Sequence, residues 1–126
     1  ISARGGRRSL EIVTQYLNKG EVVCIFPEGT ISRTGHLGEF KRGFELATKN
    51  ANGKIVPFYI GGMWGTKFSR SHIDFKSIKE NKFTKDVRMS FAKPEDINTT
   101  AKDVKQSVFE LSVDSWNQYI QNFKSL

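Results

Sequence analysis

The residues best suited to chemistry lie in one short segment, FPEGTISR, at positions 26–33. It brings together a carboxylate, two hydroxyls and a guanidinium. Arginine binds phosphate through a planar fork of N–H donors, and a glycine lets the backbone approach a ligand closely. Polar groups beside such donors can orient an attacking hydroxyl. The segment therefore predicts a site for a polar substrate that carries phosphate and hydroxyl groups.

The same segment resembles the Phe-Pro-Glu-Gly-Thr block of the glycerophospholipid acyltransferases. The resemblance continues in order through Gly35, residues 40–43 and the apolar run at 55–57. Enzymes of this family move a fatty acyl group from a thioester onto glycerol phosphate or a lysophospholipid. The resemblance thus implies an acyltransferase of phospholipid synthesis or remodelling, with an acyl-CoA or acyl-carrier-protein donor and no cofactor or metal.

The resemblance also assigns substrate-binding roles to individual residues. Glu28 is the defining carboxylate, which binds and orients the acceptor and does not act as the base. The other implied binding residues are Gly29, Thr30, Ser32, Arg33, Arg4, Lys41 and Arg42. The commonest form of the motif has arginine directly after the threonine, whereas this chain has Ile31 there. This departure favours the branch that acts on lysophospholipids, including multidomain proteins of the 2-acylglycerophosphoethanolamine acyltransferase type.

Each of these residues also has a simpler interpretation. Glu28 could simply brace the turn, and Gly29 could be a plain turn glycine. The hydroxyls of Thr30 and Ser32 could bond to nearby backbone groups, as loop hydroxyls commonly do. Arg4 could belong to a solvated basic cluster, as charge runs often do. Surface charge would explain Lys41 and Arg42 equally. Pro57, which the resemblance assigns to the floor of the site or the acyl-donor path, could simply end a strand.

The catalytic pair of the family is not found in this chain. Its members carry a His-x-x-x-x-Asp motif upstream of the glutamate block, but the fifth residue after His36 is Lys41 and after His72 is Ser77. We therefore expect residues 1–126 to be the C-terminal portion of a single acyltransferase domain, inactive alone, with the histidine and aspartate upstream. His36 is expected to be a solvent-exposed loop residue.

Charge and composition limit the partners without choosing among them. The formal charge is +7, and residues 1–70 carry 11 basic against 5 acidic side chains. Such a field attracts phosphate-bearing substrates, acidic carrier proteins and anionic membrane surfaces. The same field would attract nucleic acid. A basic module that binds nucleic acid or an anionic membrane, the latter through residues 64–70, is therefore the alternative function, although no nucleic-acid motif is present.

Cysteine usage and hydropathy bear on the compartment. The single cysteine, Cys24, lies in an apolar run where a buried thiol acts as a small hydrophobe, which indicates a reducing compartment. No apolar stretch approaches the roughly 20 residues needed to cross a bilayer. Taken with the resemblance, the expected location is the cytoplasmic face of a membrane, with attachment either peripheral or through other regions.

Apolar periodicity predicts the elements that would position the site. It indicates a helix over 9–18, a strand buried on both faces over 22–26, a helix around Phe40, Phe44 and Ala47, and strands at 55–60 and 87–91. A capping box that begins at Thr100 predicts a long C-terminal helix. The alternation favours an α/β fold with a mostly parallel sheet flanked by helices, and the glutamate loop at the carboxyl end of a strand.

Overall fold

The computed structural model describes residues 6–63 and 87–125. These residues form three helices and four short strands. In chain order, the elements are α1 (Gly6–Asn18), α2 (Gly43–Thr48), β1 (Lys54–Ile55), β2 (Phe58–Gly61), β3 (Arg88–Phe91), β4 (Glu95–Asp96) and α3 (Ala101–Lys124). No helix in this described part is both long and apolar enough to cross a membrane.

Helix α3 begins where the sequence predicted. Thr100 is the N-cap residue in extended backbone, and its hydroxyl oxygen accepts a hydrogen bond from the Asp103 backbone N–H at 3.3 Å. The same hydroxyl donates to the Asp103 carboxylate at 2.6 Å. Because the first N–H groups of a helix lack partners within it, this cap fixes the starting point of α3.

Helix α1 packs on α2, and two polar side chains of α1 bond to the backbone at the end of α2 and just after it. Val13 of α1 is fully buried. The Thr14 hydroxyl donates to the Ala47 carbonyl at 2.7 Å, and the Asn18 side chain bonds to the backbone of Asn50 and Asn52 in the turn after α2. The predicted first helix is thus confirmed, and its buried stripe faces α2.

The prediction of a mostly parallel sheet is wrong. The described strands form two separate two-stranded sheets, β1 with β4 and β2 with β3, and both are antiparallel. The strand predicted over 55–60 is split at Val56 and Pro57, because proline has no N–H to donate to a ladder. The two halves then pair with different partners. Only the predicted strand at 87–91 occurs nearly as expected, as β3.

The strand predicted over Val22 to Phe26 is also absent. Val22 is 97% exposed, Phe26 is 65% exposed and Cys24 is exposed, while Ile25 alone packs against the core. A strand needs a neighbour for its N–H and C=O groups, and none of the described elements pairs with this segment. The apolar run indicates that the segment favours burial, but it does not specify which strand the segment would pair with.

The two faces of the β2–β3 sheet have different surroundings. Phe58 lies opposite Phe91, and Ile60 lies opposite Met89, so these four side chains share one face. We call this the open face, because Phe91 is 61% and Met89 55% exposed.

The other face of this sheet carries Tyr59 and Arg88 and packs on α3. The Arg88 guanidinium lies 4.4 Å from the centre of the Tyr119 ring and donates to the Ser115 carbonyl at 3.5 Å. Gly61, opposite Arg88, leaves room for the Ser115 hydroxyl, which would lie 3.3 Å from a Cβ at that position. Helix α3 therefore approaches the sheet closely at this point.

A small apolar cluster joins α2 to α3. Its buried members are Phe44 from α2 and Ala101, Val104 and Val108 from α3. Partly buried side chains from other parts of the chain pack around it, namely Ile25, Leu37, Phe40, Ile55 and Tyr59. Because three of these come from the region before α2, the cluster also anchors the segment that carries the candidate site.

Candidate functional site

The candidate site is built on a closed loop, residues 27–41, which we call the motif loop. The Lys41 backbone N–H donates to the Pro27 carbonyl at 2.9 Å, which brings the two ends of the loop together. Leu37 and Phe40 insert into the α2–α3 cluster on one side. The loop is thus held by one backbone bond at its neck and by two apolar side chains.

Glu28 lies inside this closed loop. Its side chain is half-buried, and its Oε2 atom accepts a hydrogen bond from the Gly38 backbone N–H at 2.8 Å. Among the described residues, no hydrogen bond engages the other carboxylate oxygen, Oε1. Glu28 therefore braces the loop with one oxygen and leaves the second for a ligand, so the structural and substrate-binding interpretations are compatible.

Gly29, which follows Glu28 in the chain, lies close to the Lys41 side chain. Gly29 has φ +66°, a left-handed conformation, and its N–H donates to the Phe26 carbonyl at 3.1 Å. A Cβ at this position would lie 3.0 Å from the Lys41 Nζ atom. The lysine ammonium thus lies near the turn backbone, where a phosphate group could meet both the ammonium and nearby polar groups.

Ser32 is occupied by its own turn. Its hydroxyl donates to the His36 carbonyl at 3.1 Å and accepts from the N–H groups of Gly35 at 2.9 Å and Thr34 at 3.3 Å. This turn shapes the tip of the motif loop. Binding of a substrate by Ser32 stays a prediction, and it would require the hydroxyl to leave these partners. His36 is exposed, as expected.

The remaining predicted site residues differ in their surroundings. Thr30 and Arg33 are exposed, and neither side chain forms an ion pair or hydrogen bond within residues 6–63 and 87–125. Arg42 does not join them, because its Nε donates to Glu45 Oε2 at 3.0 Å. Arg4 lies outside the described residues. From the predicted set, the structure therefore places Lys41 close to Gly29, which follows Glu28 directly in the chain.

Glu45 links the start of α2 to the start of α3. Its Oε1 atom accepts from the Ala101 backbone N–H at 2.8 Å, and its Oε2 atom takes the Arg42 bond. The Ala101 hydrogen bond and, secondarily, Arg42 hold the pKa of Glu45 below its usual value, against the opposing effect of burial. This carboxylate fixes the helix that follows directly after the motif loop.

Two contacts that position the site were missed by sequence reasoning. Glu39 on the motif loop forms an ion pair with Lys105 of α3, 66 residues later in the chain. Gly38 holds the Glu28 carboxylate. Neither contact could be predicted from the spacing of nearby residues, because each forms only when the loop folds back. The only sequence signal was a third loop glycine, between Leu37 and Glu39, in a stretch without a turn pattern.

A groove of about 280 Å³ lies elsewhere, between the β3–β4 connection and α3. Three acidic side chains and one lysine line it, so its charge is wrong for a phosphate. The lining residues are Ala92, Lys93, Pro94, Glu95, Ser107, Glu110, Leu111 and Asp114. Its Glu95 carboxylate already accepts a hydrogen bond from Ser107. The motif loop is therefore the better candidate for a phosphate-bearing substrate.

Pro57 is buried at the break between β1 and β2. Its carbonyl accepts a hydrogen bond from the Ala92 N–H at 2.9 Å, which continues the contact between β2 and β3. This position agrees with its interpretation as a strand-end proline. A role in shaping the floor of the site stays a prediction.

Comparison with known proteins identifies the class to which this loop belongs. The model of the Acyltransferase family matches residues 2–61, a range that includes the whole motif loop. These residues make up just under half of the chain, so the motif loop lies within the part that is similar to the Acyltransferase family.

A curated relative agrees with this assignment. A protein of Mycoplasma pneumoniae described as a probable 1-acyl-sn-glycerol-3-phosphate acyltransferase is 30% identical over 118 residues, which is 90% of this chain and 44% of the relative. The chain thus spans less than half the length of that relative. No solved structure matches the chain significantly.

Proposed function

We propose that this chain is the acceptor-binding part of an enzyme that transfers an acyl group to the hydroxyl of glycerol phosphate or a lysophospholipid. The donor would be the thioester of acyl-CoA or of an acyl-carrier protein. The observation that supports this most directly is the half-buried Glu28 carboxylate, held through one oxygen in the same closed loop in which the Lys41 ammonium lies close to Gly29. A carboxylate can accept the acceptor's hydroxyl proton in a hydrogen bond, while the cation attracts its phosphate.

The proposed reaction moves the acyl group from the sulfur of the thioester to the oxygen of the acceptor hydroxyl. The acceptor hydroxyl oxygen attacks the thioester carbonyl carbon, the C–S bond breaks, and the hydroxyl proton passes through a base to the thiolate. The base would be a histidine oriented by an aspartate, both outside this chain. Glu28 would hold the acceptor in position for attack. Residues 1–126 alone would then lack activity.

The proposed setting is the cytoplasmic face of a membrane. Three features of the described residues are compatible with it: the exposed Phe26 and Phe91 side chains, the free Arg33 side chain and Lys41. Binding to vesicles of zwitterionic lipid with and without anionic lipid, at low and high salt, tests this. Binding that needs neither anionic lipid nor low salt would argue against an electrostatic attachment.

The decisive experiment compares acyl transfer by the 126-residue chain and by the full-length protein. Both are assayed with acyl-CoA and acyl-carrier-protein donors against glycerol 3-phosphate and a panel of lysophospholipids. We expect transfer by the full-length protein alone, and loss of at least 100-fold in Glu28→Ala, because the acceptor would lose its orienting group. Glu21→Ala is the matched control, since Glu21 is an exposed glutamate outside the loop.

Each other outcome has a distinct meaning. Activity of the 126-residue chain would refute the proposal that the base lies elsewhere. Equal activity of Glu28→Ala and Glu21→Ala would remove Glu28 from the site. A full-length protein without transfer to any acceptor would favour a basic module that binds anionic membrane or nucleic acid.

A further inference from the structure

The contact between Gly38 and Glu28 has features that simple loop closure does not require. The Gly38 N–H is the hydrogen-bond partner of Glu28 Oε2, at 2.8 Å, although ten residues separate the two along the chain. A carboxylate that accepts an N–H bond in a half-buried position is held more firmly than one in water. The bond thus restrains the carboxylate and, with it, the other oxygen, Oε1.

A side chain at position 38 would meet Glu28 itself. Gly38 is absent from the set of glycines with positive φ, so its backbone conformation is open to other residues. A Cβ at this position would lie 2.9 Å from Glu28 Oε2 and 3.7 Å from its Cδ and Cγ atoms. A methyl group here would therefore collide with the carboxylate oxygen that the N–H holds.

Contacts of the neighbouring residues restrain the backbone at Gly38. Its neighbour Leu37 packs on the α2–α3 cluster, and its other neighbour Glu39 pairs with Lys105 of α3. Phe40 adds a second apolar anchor. Because the loop is held on both sides of Gly38, the Glu28 side chain is the part that would give way.

We infer that Gly38 is a positioning residue for the acceptor: its N–H and its missing side chain together aim Glu28 Oε1 at the acceptor hydroxyl. This inference rests on the proposed function for its catalytic consequence. It goes beyond it by naming a residue that touches no substrate and yet sets acceptor affinity. Misplacement of an orienting group by about 1 Å costs as much as 100-fold in rate.

The kinetic test uses the full-length protein. Gly38→Ala is expected to lower kcat/KM for the acceptor by about 10- to 100-fold, with the KM for the acyl donor unchanged. Because Gly38 acts through Glu28, adding Gly38→Ala to Glu28→Ala should change kcat/KM less than about twofold. Losses that multiply in the double variant, or a Gly38→Ala enzyme as active as the wild type, would overturn the inference.

A spectroscopic test applies even where no activity is found. In the 126-residue chain, the amide proton of Gly38 should resonate at low field because it is bonded to a carboxylate, and Glu28→Ala should shift it to high field. The matched control is Gly43→Ala, because a Cβ at Gly43 would meet nothing within 4 Å. It should leave the Gly38 resonance in place.

The two tests separate failure of the inference from failure of the proposed function. A full-length protein without acyl transfer would refute the function alone, while a Gly38 amide that responds to Glu28→Ala would still support the positioning contact. A Gly38 amide indifferent to Glu28→Ala would overturn the inference, whatever the enzyme does.

Discussion

The motif loop and the α2–α3 cluster lie side by side but are stabilised by different interactions. The cluster is apolar and is made of side chains that interlock, with Phe44 9% exposed. The loop is closed by hydrogen bonds and by two glycines that allow close approach, at Gly29 and Gly38. Only Leu37 and Phe40 belong to both regions.

Because of this difference, we expect the cluster to determine the stability of the fold and the loop to determine the positions of the site residues. Changes in the cluster should alter the free energy of unfolding, because buried apolar area dominates it. Changes at the loop glycines should alter where Glu28 and Lys41 lie, at a smaller cost in stability. The residues capable of chemistry are therefore placed by a part of the molecule that contributes little to its overall stability.

The largest expected effect on stability is at Phe44. Phe44→Ala should lower the free energy of unfolding by about 3 kcal/mol, because a buried aromatic side chain is replaced by a cavity. Urea unfolding followed by circular dichroism measures this. Leu46→Ala in the same helix is the control; Leu46 is 67% exposed, so its loss should cost less than about 0.5 kcal/mol. Equal costs would mean that the cluster is not the core.

The next effect concerns the loop. Gly29→Ala should cost about 1–2 kcal/mol, because its left-handed backbone is unfavourable for residues with a Cβ, and it should also displace Lys41. Gly43→Ala has neither problem and should be within about 0.5 kcal/mol of the wild type. The same urea titration compares them. A Gly29→Ala variant with the same free energy of unfolding as the wild type would contradict the proposal that the loop depends on the conformation of its glycines.

A third prediction tests the cap of α3. Thr100→Ala should lower the free energy of unfolding by about 1 kcal/mol, because the Asp103 N–H loses its acceptor. Thr100→Ser keeps the hydroxyl and should retain most of the stability. Thermal unfolding of the three proteins decides this. A Thr100→Ser variant as unstable as Thr100→Ala would show that the methyl group, and not the cap, matters.

The smallest effect should be seen in the pH dependence of stability. Since the pKa of Glu45 is lowered by folding, its contribution is fully present above the pKa of a free glutamate and is lost as pH falls through the lowered value. Urea midpoints measured from neutral pH down into this acidic range should fall less steeply for Glu45→Gln than for the wild type. Glu21→Gln serves as the control. Parallel curves for all three would mean that Glu45 does not link the helices.

Local signals in the sequence predicted the helices well. The stripe that contains Val13 and the capping box at Thr100 each specify an element through contacts a few residues apart. Strand β3 was predicted for the same reason, because alternation of side chains is local. These patterns determine an element without determining what it packs against.

The sheet was predicted wrongly because pairing is not a local property. The run from Val22 to Phe26 is apolar enough for a buried strand, yet it has no strand neighbour among the described residues. Pro57 interrupts what reads as one strand. At the site, Glu28 and Lys41 could be chosen from the sequence by resemblance. Gly38 could not, because its role depends on a contact formed only when the loop closes.

The open face of the β2–β3 sheet carries a methionine whose oxidation can measure how accessible the face is. The chain has two methionines, and they differ in accessibility: Met89 is 55% exposed on this face, whereas Met63 is half-buried. Mild peroxide converts accessible methionine to its sulfoxide, which mass spectrometry detects as added oxygen. The oxidation rate of Met89, with Met63 as the internal reference, therefore measures in a single digest whether anything shields this face in the cell.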